Sequence, residues 1–174
     1  MNEQRQAEYE ALRATIRERG TARVVLFGAS LTLWAALITA VSAVVPVPAA
    51  ALVPLMVLVA AFEAVYSLHV GVERVGRYLQ VFHGDGWELT AMAYGQRFPG
   101  GGTDALFAAV FWMATAVNLF PLVLVTPTLQ EVVPIGLAHL LFMARVYQAR
   151  RRAAGLRNLD LDRFRALAAN PPPH

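Results

Sequence analysis

Val24 to Val45 is a run of 22 residues without a charged side chain, and nothing else in the sequence constrains the fold so strongly. At 1.5 Å per residue it makes about 33 Å of helix, enough for a hydrocarbon core of about 30 Å. Three further apolar runs follow. Ala49 to about Val72 is interrupted by one charge, Glu63, and Ala105 to Val125 by none. The last runs from about Leu129 to Tyr147. The turns between them are marked: two prolines in Pro46-Val47-Pro48, then Thr126-Pro127 before T-x-x-E at Thr128 to Glu131, the capping-box pattern. Pro54 near the start of the second run and Pro134 in the last are placed to disturb only outer turns. The middle segment ends in Pro99 and Gly100-Gly101-Gly102, a hinge, with Thr103 and Asp104 as N-cap candidates for the third run.

The expected fold is therefore an all-α integral membrane protein with four transmembrane helices in two hairpins. The spans are about 24–45, 49–72, 105–125 and 129–147, within a transmembrane domain of residues 24–147. A signal peptide is disfavoured, because the first run exceeds a 7–15-residue h-region and a 23-residue polar segment precedes it. A soluble bundle is disfavoured because four such runs leave too little polar surface.

Composition fixes direction. All 15 basic residues are arginine, five of them in residues 1–23, three in the middle segment and seven from Arg145 onward. The two short connections carry none. The positive-inside rule then places both termini and residues 73–104 in the cytoplasm, so the net charge of +3 is topological rather than a sign of nucleic-acid binding. Residues 1–23, with Tyr9, Leu12 and Ile16 at helical spacing, form an expected amphipathic helix that breaks at Gly20, with Thr21 capping the first span. Residues 148–174 form a basic tail with a short helix capped by Asn158 or Asp160 and stopped by Pro171 to Pro173. Arg150, Arg151 and Arg152 are candidate contacts for lipid headgroups. Gly84-Asp85-Gly86 is a turn that ends the second helix, and Trp87 and Tyr94 beside it suit a membrane interface.

The sequence has no cysteine, which excludes disulfides, thiolate metal sites and thiol nucleophiles. Titratable residues inside the spans carry what chemistry there is. At 100° per residue, Glu63, Tyr66, His69, Glu73 and Arg77 fall within about 120° of one helix face, a polar stripe from mid-membrane to the cytoplasm. Glu73 has i,i+4 spacing to both His69 and Arg77, and its pairing with Arg77 is expected to be structural. His69 and His139 lie on helices running the same way and are expected at similar depth, where they are possible ligands of haem or a chlorophyll-type pigment. Asn118 and the small polar residues of the first span are expected to hydrogen-bond between helices. Phe107, Phe111 and Trp112 are expected at lipid or subunit contacts. Arg77-Tyr78-Leu79-Gln80 and Arg145-Val146-Tyr147-Gln148 end the two hairpins alike, a likeness too short to establish duplication.

These residues imply a non-catalytic accessory subunit, without a metal site, of a larger bacterial membrane complex (energy-converting, photosynthetic, respiratory or transport). Its expected partners are the lipid bilayer and other membrane-protein subunits or a second copy, and its expected place is the bacterial inner membrane. Two alternatives are an oligomeric ion or proton conduit lined by Glu63, His69 and Glu73, and a haem- or pigment-binding carrier using His69 and His139.

Overall fold

A computed structural model describes residues 3–44, 47–84, 86–98 and 107–170. The molecule is all-helical, with no strand among the described residues. Helix α1 spans Glu3–Val44; a 3-10 turn at Pro48–Ala51 leads into α2, Leu52–Phe82. Then come α3, Trp87–Arg97, the short helices α4, Ala108–Val117, and α5, Phe120–Leu124, and finally α6, Leu129–Ala169. Three of these, α1, α6 and the unit from Pro48 to Phe82, are long and apolar enough to cross a membrane.

The third expected span is different. The apolar stretch from Ala108 to Leu124 is 17 residues long and is divided at Asn118-Leu119. Pro121, in the first turn of α5, has no backbone donor for a carbonyl of the preceding turn, so the chain restarts there as a new helix. The hinge at 100–102 and the candidate caps Thr103 and Asp104 lie outside the described residues, as do Pro46, Asp85 and Pro171 to Pro173.

Both ends of the chain also depart from expectation. Gly20 does not break the first helix, and Thr21 caps nothing: the amphipathic segment and the apolar run form one 42-residue helix. A glycine inside a helix costs only about 1 kcal/mol against alanine, and the flanking Arg, Glu and Ala are good helix formers. Likewise Asn158 and Asp160 are interior residues of α6, which runs unbroken for 41 residues despite Pro134. At its start the Glu131 carboxylate accepts from both the backbone N–H and the hydroxyl of Thr128, at 2.9 and 2.8 Å, the cap that T-x-x-E implied. Helix α2 ends at Phe82, just before Gly84, as expected.

Side-chain contacts give the register. Helix α1 runs antiparallel to α2: Arg5 reaches the Phe82 carbonyl, Glu8 meets Tyr78 and Arg23 meets His69. Helix α6 runs parallel to α2, with Phe62 against Phe142, Glu63 against Arg145 and Arg77 against Asp160. Helix α4 packs on both α2 and α6. The apolar core lies where they converge, with Phe62, Phe111 and Leu58 fully buried and Phe62 edge-on to both Phe111 and Phe142. Phe107 stacks on Phe27 at 4.1 Å. Thus Phe111 is a core residue and Phe107 is partly buried against the core, not at a lipid or subunit contact; Trp112 alone of the three is exposed, its indole N–H donating to the Met143 carbonyl.

Beyond the Arg23–His69 contact the three long helices continue together as a stalk. Residues 3–20 of α1 alone extend about 27 Å. Phe164 of α6 packs edge-on against Tyr78 and Phe82 of α2, which cements the stalk.

Candidate functional site: charged contacts along α2

Successive charged and polar groups of α2 turn to different neighbours, so the stripe expected from the sequence becomes three separate contacts. Deepest in the apolar region, the Arg145 guanidinium donates from Nη2 to Oε2 of Glu63 at 2.7 Å. It lies over the rings of Phe62 and Tyr66, 6.0 and 5.1 Å from their centroids. Glu63 is eleven residues, about 16 Å, along α2 from Leu52. Both side chains remain partly open, 43% for Glu63 and 31% for Arg145. Arg145 Nη1 is buried and has no hydrogen-bond partner among the described residues.

Six residues further on, about 9 Å, His69 is turned to α1 instead. Arg23 Nη1 donates to its Nδ1 at 3.0 Å, which puts the imidazole proton on Nε2. His69 therefore engages Arg23, while Glu73 is engaged by Arg77. Next to the stalk's aromatic cluster, Arg77 is nearly closed off, 5% exposed. Its Nη2 donates to Glu73 Oε2 at 3.0 Å and its Nη1 to Oδ2 of the equally buried Asp160 at 2.9 Å. Arg74 adds a longer, exposed approach to the same carboxylate, 3.8 Å. The i,i+4 Glu73–Arg77 pair expected from spacing thus forms, as part of a triad whose third member is on α6.

At the other end of the bundle Asn118 ties four elements together. Its Oδ1 accepts from the Trp34 indole at 3.0 Å; its Nδ2 donates to the Ala51 carbonyl at 2.8 Å and to His139 Nε2 at 2.9 Å. His139 Nδ1–H donates in turn to the Ile135 carbonyl at 2.8 Å. Both ring nitrogens of His139 are occupied, and the Asn118 side chain makes the interhelical bonds expected of it, whereas Thr32, Thr39 and Ser42 of the first span instead donate to carbonyls of their own helix, those of Gly28, Ala35 and Ile38.

The Glu63–Arg145 contact corrects the expected depths. Arg145 stands level with Glu63, and His139 lies six residues before Arg145 on α6 while His69 lies six residues after Glu63 on α2, so the two imidazoles are separated by about 18 Å along the helix axis. Counting from charged flanks misplaced His139, because Arg145 stands level with Glu63 and not with Glu73. Among the described residues no three of His, Asp or Glu converge as a metal site.

Of the sequence-selected residues, Glu63, His69, Glu73 and Arg77 all hold polar partners, and Tyr66 lies under Arg145. Arg150, Arg151 and Arg152 continue α6 at the start of the stalk, Arg150 to Arg152 exposed and Arg151 5.2 Å over the Tyr147 ring. Sequence reasoning missed the partners Arg23, Arg145 and Asp160. The available signal was charge sign: each is opposite or complementary to a stripe residue and lies on an adjoining helix. Comparison with known protein families, with curated proteins and with solved structures finds no match to this chain.

Proposed function

We propose that this protein is a non-catalytic, multi-pass subunit of a bacterial inner-membrane assembly, docked to its neighbours through the flank of α2 and α6. The observation that carries this reading is the Glu63–Arg145 pair, two half-open charges on an otherwise apolar flank at membrane depth. A charged side chain at the centre of a spanning helix costs about 2.5–3.5 kcal/mol on insertion scales, and burying a pair repays this only when its remaining donors and acceptors are met. Lipid tails meet none of them. A second protein surface does.

The orientation with both termini and the segment after α2 in the cytoplasm is supported by the placement of charge. Arg145 apart, the arginines of the three long helices lie at or beyond the Arg23–His69 level, toward one end. The stalk is then a cytoplasmic projection, open to soluble partners of the same assembly. The conduit alternative has less support, because Glu63, His69 and Glu73 are each engaged by a different arginine. A pigment or haem shared by His69 and His139 has none from their spacing.

The test is extraction at native expression in a mild detergent, followed by native mass spectrometry. The protein is expected within a larger particle. A monomer, alone, would refute the proposal.

A further inference from the structure

The half-open pair also has a geometry that selects its occupant. Glu63 and Arg145 are opposite charges side by side at one depth, on helices that run parallel. A two-fold axis along the bundle, passing beside them, would bring Glu63 of one copy against Arg145 of the other, twice. Such an interface is isologous, so a surface that carries both signs at one level is complementary to itself. A surface built for a different chain needs no such balance.

Two observations point the same way. Within one chain the pair is joined by a single hydrogen bond, Nη2 to Oε2, and leaves 43% of the Glu63 side chain and 31% of the Arg145 side chain open. Guanidinium and carboxylate each keep donor or acceptor sites beyond that one bond, so the open edges of the pair suit a second carboxylate and a second guanidinium. The surroundings are apolar and open: Met56 and Val59, at i−7 and i−4 from Glu63, are 70% and 36% exposed, and Leu141, at i−4 from Arg145, is 62% exposed. An ion quartet ringed by apolar side chains is a fully desolvated hot spot with a water-excluding border.

We propose that the α2–α6 flank is a two-fold interface between copies of this chain, centred on a four-membered Glu63–Arg145 network. The inference rests on the subunit reading above and names its nearest partner as a second copy.

The chain's lack of cysteine makes the test clean, because Leu141→Cys introduces one thiol near the proposed axis. In native membranes a short bis-maleimide should give a dimer of twice the chain mass. A cross-link to a chain of another mass, or no cross-linked product from a thiol that a single maleimide does label, would overturn this inference and leave the subunit reading standing, because a partner without a cysteine at that place gives no product. Charge reversal then separates pairing between copies from pairing within one. Glu63→Arg alone makes a doubly positive flank and Arg145→Glu alone a doubly negative one, and each should lose dimer by about tenfold or more when expressed by itself. Co-expressed with different tags, the two should cross-link to each other at wild-type yield, because only the mixed dimer juxtaposes opposite signs. If the variants fail alone and also fail together while both remain in the membrane, the quartet is refuted. Should either variant not accumulate, Glu63→Gln and Arg145→Gln, each neutral on one side, are expected to weaken the dimer without abolishing insertion; an undiminished dimer in both overturns the proposal equally.

Discussion

Removal of Arg77 isolates the largest electrostatic commitment of the stalk. Asp160 is 4% exposed and, among the described residues, has one short contact, with Arg77, and a longer one with Arg74, 3.8 Å away on a side chain 59% exposed. In Arg77→Met the methionine fills most of the volume but leaves a buried carboxylate with a screened partner. Breaking one side of a buried pair costs about 3–5 kcal/mol. Asp160→Leu should cost less, because Arg77 keeps Glu73 at 3.0 Å, and the half-exposed Glu73 pair lets the guanidinium reach water. The double variant Arg77→Met, Asp160→Leu replaces both charges with apolar groups and should come within about 1 kcal/mol of wild type, since well-packed hydrophobic substitutes for buried ion pairs are often neutral. The order expected is therefore Arg77→Met worst, Asp160→Leu intermediate and the double variant best. Unfolding by denaturant in detergent micelles, followed by circular dichroism, gives the three free energies and the coupling between them. Amide exchange would locate the loss, with residues 73–82 and 156–164 opening first. Additive single effects, or a cost below about 1 kcal/mol for Arg77→Met, would refute the assignment of Arg77 as the stalk's electrostatic clasp.

Two further predictions follow from the packing. Asn118→Leu removes three hydrogen bonds in an apolar setting, where each is worth about 0.6 to 1.7 kcal/mol, so a loss of about 2–5 kcal/mol is expected; Trp34→Phe should lose only its one bond, and equal unfolding midpoints for all three proteins would contradict the node. Gly155→Ala should stabilise α6 by about 0.5–1 kcal/mol, because a methyl there meets nothing, whereas Gly84→Ala should destabilise, its Cβ lying 2.5 Å from the Gln80 carbonyl oxygen. Thermal melts that ranked the two glycine variants the other way would refute that reading.

The features legible in the sequence are those set by local chemistry. Charge-free length identified the long apolar helices, proline and glycine marked their ends, and T-x-x-E predicted a cap in which the Glu131 carboxylate accepts from the Thr128 backbone N–H. The features that were not legible depend on how one helix stands against another. Gly20 signals a break only if its small intrinsic cost is left unopposed, and here α1 is held to α2 along the stalk by Arg5, Glu8 and Arg23. The depth of His139 could not be counted from its nearest arginine, because that arginine is itself neutralised within the apolar region by Glu63. The division of the third apolar run turns on Asn118, whose side chain is spent on Ala51, Trp34 and His139, partners distant in sequence.

The absence of any joint at Gly20 or near Asn158 has a mechanical consequence. With α1 and α6 each a single rod, the apolar half of the molecule and the stalk share their axes, so a change in inclination of one is the same change in the other. A rotation of 10° swings the far end of a 27 Å projection sideways by about 5 Å, close to the rise of one helical turn. Neighbours gripping the two halves would therefore feel each other through leverage, without any side chain along the way changing its conformation.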